Sequence, residues 1–146
     1  MSFPKRLLGE GAYGVLAAPN SVLTREEAQS LVERTVKLSK ADAIRVNVQS
    51  ARESNVRFAA NQMSTSGLSA TTTIRVQSVF GKRKASVVTN SRTDDGLKRA
   101  VEQSEALARL APEDPEYLGE LGPHQYVPVN AWFDATASLF PDERGK

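Results

Sequence analysis

The chain has 146 residues, 40% of them hydrophobic and 25% charged, with a net charge of +2. That length suits one domain able to bury roughly two thirds of the surface its unfolded chain exposes, and so mild a net charge says little by itself about nucleic-acid binding, which depends on basic charge concentrated on one face. The absence of cysteine excludes disulfides and thiolate chemistry, and no stretch reaches the ~18 consecutive apolar residues of a membrane-spanning helix. Residues 1–23 are punctuated by Pro4, Gly9, Gly11, Gly14 and Pro19 and are expected to be irregular. The same glycines, with Glu10, break the apolar patch after Lys5 and Arg6 into a poor signal-peptide core. With no targeting signal and no membrane segment, a cytoplasmic protein is the expectation. GEGAYG, residues 9–14, has the glycines of a phosphate loop, but no strand precedes it, so a flexible segment is expected.

At TREEAQSLVERTVKLSK a helix is predicted to begin. Thr24 and Glu27 have the spacing of a capping box, and Ala28, Leu31, Val32, Thr35 and Val36 share one face. Lys37 and Lys40 suit its C-terminal end, where the helix dipole favours cations. DAIRVNVQS then alternates Ile44, Val46 and Val48 with polar residues, the period of a strand. ARES reads as a short polar connection to NVRFAAN, a second alternating run, and the two are expected to pair as a hairpin. Residues 61–70 are small and polar and read as a loop. ATTTIRVQSVF is β-branched and strand-like, Gly81 and Lys82 turn the chain, and KASVVTN returns as a fourth strand.

A second helix is predicted from about Asp94, with Leu97, Ala100, Val101, Ser104, Leu107 and Ala108 on one stripe and Asp94 and Asp95 in the first turn. Pro112 ends it, and a Pro/Gly-rich connector follows. In ASLFPDERGK, Ser138 as cap, Pro141 in the first turn and Asp142 and Glu143 beside it read as a helix start. One turn cannot sustain a helix, so the sequence is read as the front part of a longer protein. The expected organisation is an irregular segment over 1–23, an α+β domain over 24–118, and a connector with the entrance to a further domain over 119–146. The expected fold is an antiparallel sheet of about four strands with helices packed mainly on one face, a two-layer sandwich.

The motifs of most enzymes are missing. His124, in LGPHQY, is the sole histidine, and a zinc site needs about three ligands. There is no HExxH or HExxxH, no nucleophile elbow, no phosphate loop and no catalytic residue to nominate. The paired acids Asp94/Asp95 and Glu26/Glu27 are explained by helix starts. GKRK, residues 81–84, is the densest basic cluster. It is read as solvated cations guarding a sheet edge rather than as a nucleic-acid site, since only Phe80 flanks it and no stacking platform is present.

RFAANQMSTSG, GKRKASVVTNS and DDGLKRAVEQSEALARLAPEDPEY occur in this order, and together they resemble the N-terminal domain of the TldD/PmbA family, peptidases once described as modulators of DNA gyrase. Ser104 stands where the family more often has alanine, and Gln62 where it more often has asparagine or arginine. The resemblance, over about residues 24–118, implies a parent of two domains. In its TldD-type member zinc is held by an HExxxH motif in the C-terminal domain, and the PmbA-type partner lacks the metal. It further implies homo- or heterodimers that degrade or mature peptides held between the domains. On that basis no cofactor is expected in this chain, with zinc expected only in the full-length parent. Peptide or unfolded polypeptide is the expected partner. VRFAANQMSTSG, residues 56–67, then reads as a wall of the peptide cleft, with Arg57, Asn61, Ser64 and Ser66 as the candidate substrate-facing residues. The rival reading is a stand-alone α+β binding or regulatory module without hydrolytic activity.

Overall fold

Leu31, Ile74, Val76, Leu97, Ala100 and Val101 are buried together and form the core. The protein, described by a computed structural model over residues 22–122 and 124–144, builds this core from one sheet face and two helices. The order is α1 (Arg25–Lys37), β1 (Ala43–Ala59), β2 (Gln62–Phe80), β3 (Arg83–Thr89), α2 (Asp94–Leu110), α3 (Asp134–Ala137) and α4 (Pro141–Arg144). The strands form one antiparallel sheet in the order β1-β2-β3. The irregular segment expected over residues 1–23, with its GEGAYG stretch, lies outside the described residues as far as residue 21.

The helices start where their caps dictate. The Thr24 hydroxyl accepts from the Glu27 amide at 3.2 Å, and the Glu27 carboxylate accepts from the Thr24 amide at 2.8 Å, completing the capping box. Thr93 caps α2 by accepting from the Gly96 amide. The expected stripe of α2 holds except at one place: Leu107 is half-exposed and Glu105 is buried instead. The reason is polar. The Glu105 carboxylate accepts from the Ser39 hydroxyl at 2.9 Å and the Lys40 amide at 2.6 Å, so it secures the chain leaving α1 to the flank of α2.

Across the sheet the register aligns Val46, Val76 and Val87 in one row and Val48, Ile74 and Thr89 in the next. Alternation puts these on one face, the face that α1 and α2 cover. In the neighbouring row Ser78 lies opposite Ala85, and its hydroxyl meets that of Ser104 at 2.6 Å. Ser104 donates onward to the Val101 carbonyl at 2.9 Å, so Ser78 is the donor within the pair. Two hydroxyls with no exposure thereby satisfy each other in an apolar setting, where an unpaired one would cost about 1–3 kcal/mol.

The sheet has three strands, not four. The runs expected as two strands joined at ARES are one continuous strand, β1, and they do not pair with each other. The residues read as a polar loop, 61–70, form the start of β2 and return along β1 from Ala59↔Gln62 to Ala43↔Val79. The turn is made by Ala60 and Asn61, both at positive φ, 51° and 57°, the geometry of a two-residue type I′ hairpin. Asparagine tolerates that region, whereas alanine there costs about 1–2 kcal/mol. The turn expected at Gly81 and Lys82 is present, with Gly81 at φ 58° and its amide donating to the Asp42 carboxylate at 2.8 Å.

On the opposite face the connector after α2 forms a strap. Its Asp114 amide donates to the Lys82 carbonyl at 2.9 Å, and the Asp114 carboxylate pairs with Lys84 at 2.5 Å. Lys84 also lies over the Tyr117 ring, 5.3 Å from its centre. Glu120 pairs with Arg45 on β1. The strap crosses the end of the sheet where Val79, register partner of both Ala43 and Lys84, is buried on this face. Ser138, read as a cap of the last helix, instead donates to the Asp134 carbonyl at the end of α3, and the Phe140 amide donates to the Glu143 carboxylate.

Three outcomes are expected. Ile74→Ala lowers the unfolding free energy by about 2–5 kcal/mol in urea titrations; a loss below about 1 kcal/mol would place Ile74 outside the core. Ala60→Gly raises stability by about 0.5–1 kcal/mol by relieving the left-handed turn, and a decrease would rule out positive φ there. Asp114 is held below the usual aspartate range, first by its hydrogen bond from Lys84 and then by the Glu116 amide. Its depressed pKa means that the strap contact is present above the ordinary carboxylate range and is lost as pH falls through the lowered value. Lys84→Met shifts the Asp114 titration, followed by carboxyl NMR, upward toward an ordinary aspartate; an unmoved titration would remove Lys84 as the cause.

Candidate functional site

β3 pairs with β2 only between Ile74 and Phe80, whereas β1 and β2 remain paired out to Ala59 and Gln62. Residues 51–71 therefore project as a two-stranded arm. At 3.2–3.4 Å per residue it is roughly 30 Å long. Nearly all of its outer residues are exposed.

The arm has two unlike faces. Val56, Phe58, Met63 and Leu68 continue the face that lies under the helices nearer the core, with Phe58 directly opposite Met63, and Phe58, Met63 and Leu68 are about half exposed. Glu53, Asn55, Arg57, Thr65 and Ser69 line the other face. There Gly67 lies opposite Asn55, and a Cβ at Gly67 would come within 2.4 Å of the Asn55 amide oxygen. Glycine thus lets the Asn55 side chain lie across the ribbon. A shallow groove of about 380 Å³ runs beside it, lined by Glu53, Ser54, Asn55, Gly67, Leu68 and Ser69.

The four candidate residues fall at different places on the arm. Asn61 is at its tip, in the turn. Arg57 pairs with Thr65 and Phe58 with Met63, so Ser64 is the extra residue of a β-bulge. The Ser64 hydroxyl donates to the Arg57 carbonyl at 3.1 Å, which brings Ser64 and Arg57 into contact. Ser66 pairs with Val56 and so sits on the apolar face, across the ribbon from the Arg57 side chain. The structure brings two of the four together and gives the others separate surroundings.

Sequence reasoning missed the apolar face, because Phe58, Met63 and Leu68 fall in what reads as a strand end and a loop. It also missed a cleft of about 960 Å³ at the arm's base, between β1 and the segment carrying α3 and α4. Trp132 and Phe133, two aromatics in a polar connector, were the available signal. His124 is exposed, and the described residues contain no group of three or more His, Cys, Asp or Glu able to hold a metal ion. In GKRK, Arg83 pairs with Glu113 at 3.6 Å and Lys84 with Asp114, so the strap's carboxylates engage two of its cations. No helix among the described residues is long and apolar enough to cross a membrane.

A family model described as PmbA/TldA metallopeptidase domain 1 matches residues 45–108, from the start of β1 to the last turn of α2, and so includes the whole arm. Among solved structures, that of TldE from Thermococcus kodakarensis aligns with a TM-score of 0.67 at 18% sequence identity, over 80% of this chain and 26% of that chain. That likeness is one of fold, and this chain spans about a quarter of the length of TldE. No curated protein matches the sequence. Over residues 45–108 the chain is thus similar in sequence to the first domain of PmbA/TldA metallopeptidases, and in fold to TldE.

Proposed function

We propose that this chain is the non-catalytic N-terminal domain of a TldD/PmbA-type metallopeptidase acting in proteolysis or peptide maturation, and that its arm forms a wall of the peptide cleft. The observation that carries the reading is the arm itself: a long, exposed, two-faced ribbon lying within the family-matched residues. A strand edge offers main-chain donors and acceptors to an extended peptide largely regardless of its sequence. The small hydroxyl and amide side chains of Asn61, Ser64 and Ser66 add hydrogen bonds without fixing a charge, and Arg57 supplies one cation. The apolar face of the arm suits contact with another domain or with a second family member in a dimer.

Zinc belongs to this reading only in a domain outside this sequence. His124 is alone in the connector, and the described residues assemble no ligand set, so they do not fit a zinc centre. The chain's own part in the reaction is to hold and orient the peptide.

Replacing Arg57, Ser64 and Ser66 by alanine and Asn61 by glycine, which preserves the turn, should weaken binding of an unstructured peptide about tenfold or more. The melting temperature should stay within a few degrees. Fluorescence anisotropy with a labelled peptide reads the first and calorimetry the second. Unchanged peptide affinity in a folded variant would remove the arm from the binding surface.

A further inference from the structure

The cleft at the base of the arm has an unusual lining. One wall is largely apolar, with Trp132, Phe133, Ala137 and Leu139, and the other is the arm's root, with Ser50, Ala51, Arg52 and Ser54. Its charged side chains are two arginines, Arg52 and Arg144, and no carboxylate lines it. Neither arginine forms an ion pair among the described residues. The Trp132 indole N–H donates to the Asp134 carboxylate at 2.7 Å, which fixes the ring in the wall and turns that acid to a local task. At about 960 Å³ the cleft lies at the upper end of the ~300–1,000 Å³ usual for ligand sites.

An occupant must bring apolar bulk to the apolar wall and a negative charge to the guanidinium groups. Arginine is the side chain best suited to a planar carboxylate, which it can bind through two parallel hydrogen bonds. We infer that this cleft takes the C-terminal end of an extended peptide, its free carboxylate held by Arg52 and Arg144 and a bulky apolar last side chain seated against Trp132 and Phe133. The inference rests on the peptide-binding reading of the arm and extends it. Arg52 and Arg57 lie on the same strand, five positions and roughly 17 Å apart. A peptide running along the edge of β1 with its end at Arg52 reaches the level of Arg57 after about five residues, the odd spacing putting the two arginines on opposite faces of the ribbon. The site then prefers chain ends, in addition to the sequence-tolerant grip of the arm.

The test uses the 146-residue chain and two labelled decapeptides of the same unstructured sequence ending in phenylalanine, one with a free carboxylate and one amidated. The acid should bind about tenfold more tightly than the amide. Arg52→Gln and Arg144→Gln should each reduce acid binding toward the amide level and leave amide binding unchanged. Equal binding of acid and amide by the unaltered chain overturns the carboxylate site and leaves the arm's reading intact. Failure to bind either peptide overturns both. Displacement of the acid peptide by millimolar inorganic phosphate, with no difference between acid and amide, also overturns the proposal in favour of a phosphate site. The glutamine variants keep length and polarity, and circular dichroism confirms that a loss of binding is not a loss of fold.

Discussion

The rest of the molecule hangs on the packing of one sheet face, centred on Ile74 and Val76, against Leu97 and Val101 of α2. All four are essentially without exposure, and each contributes about 1.5–3 kcal/mol by leaving water. A two-stranded ribbon in water is marginal by itself, and the arm is such a ribbon. It stands because its two strands are the outward halves of β1 and β2, whose inner halves are fixed in that core. The main-chain ladder carries order outward from the packed end, so the arm needs no core of its own and can keep its surface for contact.

Polar groups close the ends of this arrangement. Glu105 gathers the chain after α1, the Ser78–Ser104 pair fills the polar gap between β2 and α2, and the strap holds the open face at Lys84 and Arg45. Arg109 of α2 lies over the Phe80 ring, 3.7 Å from its centre, and adds a cation–π contact where β2 turns into β3. The exposed ion pairs are individually weak. Their role is to choose where the connector runs, which in turn sets where the segment carrying α3 and α4 meets the base of the arm. The cleft there is a product of chain routing as much as of local preference.

Much of this architecture was legible beforehand, and particular residues show why. Thr24 with Glu27 marks a helix start through bonds made within four residues. Ile44, Val46 and Val48 mark a strand by alternation alone. The start of β2 was not legible: Met63, Ser64, Thr65, Ser66 and Gly67 present neither alternation nor β-branched bulk, and an alanine–asparagine turn lacks the glycine that usually announces a hairpin. Of the candidate site, Arg57, Asn61, Ser64 and Ser66 lie on one short exposed stretch, as their spacing in the sequence already implies. Their division between two faces was hidden, because a single bulge at Ser64 decides which way the side chains on either side of it point.

The sequence by itself determined both main helices, the cap at Thr24, the core stripe of α2 except at Leu107 and Glu105, the turn at Gly81, and a family resemblance, whose phrases are local. Those features depend on contacts within a few positions, which composition and spacing record. Only the tertiary structure decided that two runs form one long strand, that 61–70 is half of an arm, that Glu105 is buried, and that Arg52 and Arg144 share a cleft. Each of these rests on partners far apart in the chain, such as Ser39 with Glu105, or on main-chain hydrogen bonds that every residue but proline can make. A backbone ladder has no side-chain code, so where it stops is settled by what else the fold packs beside it.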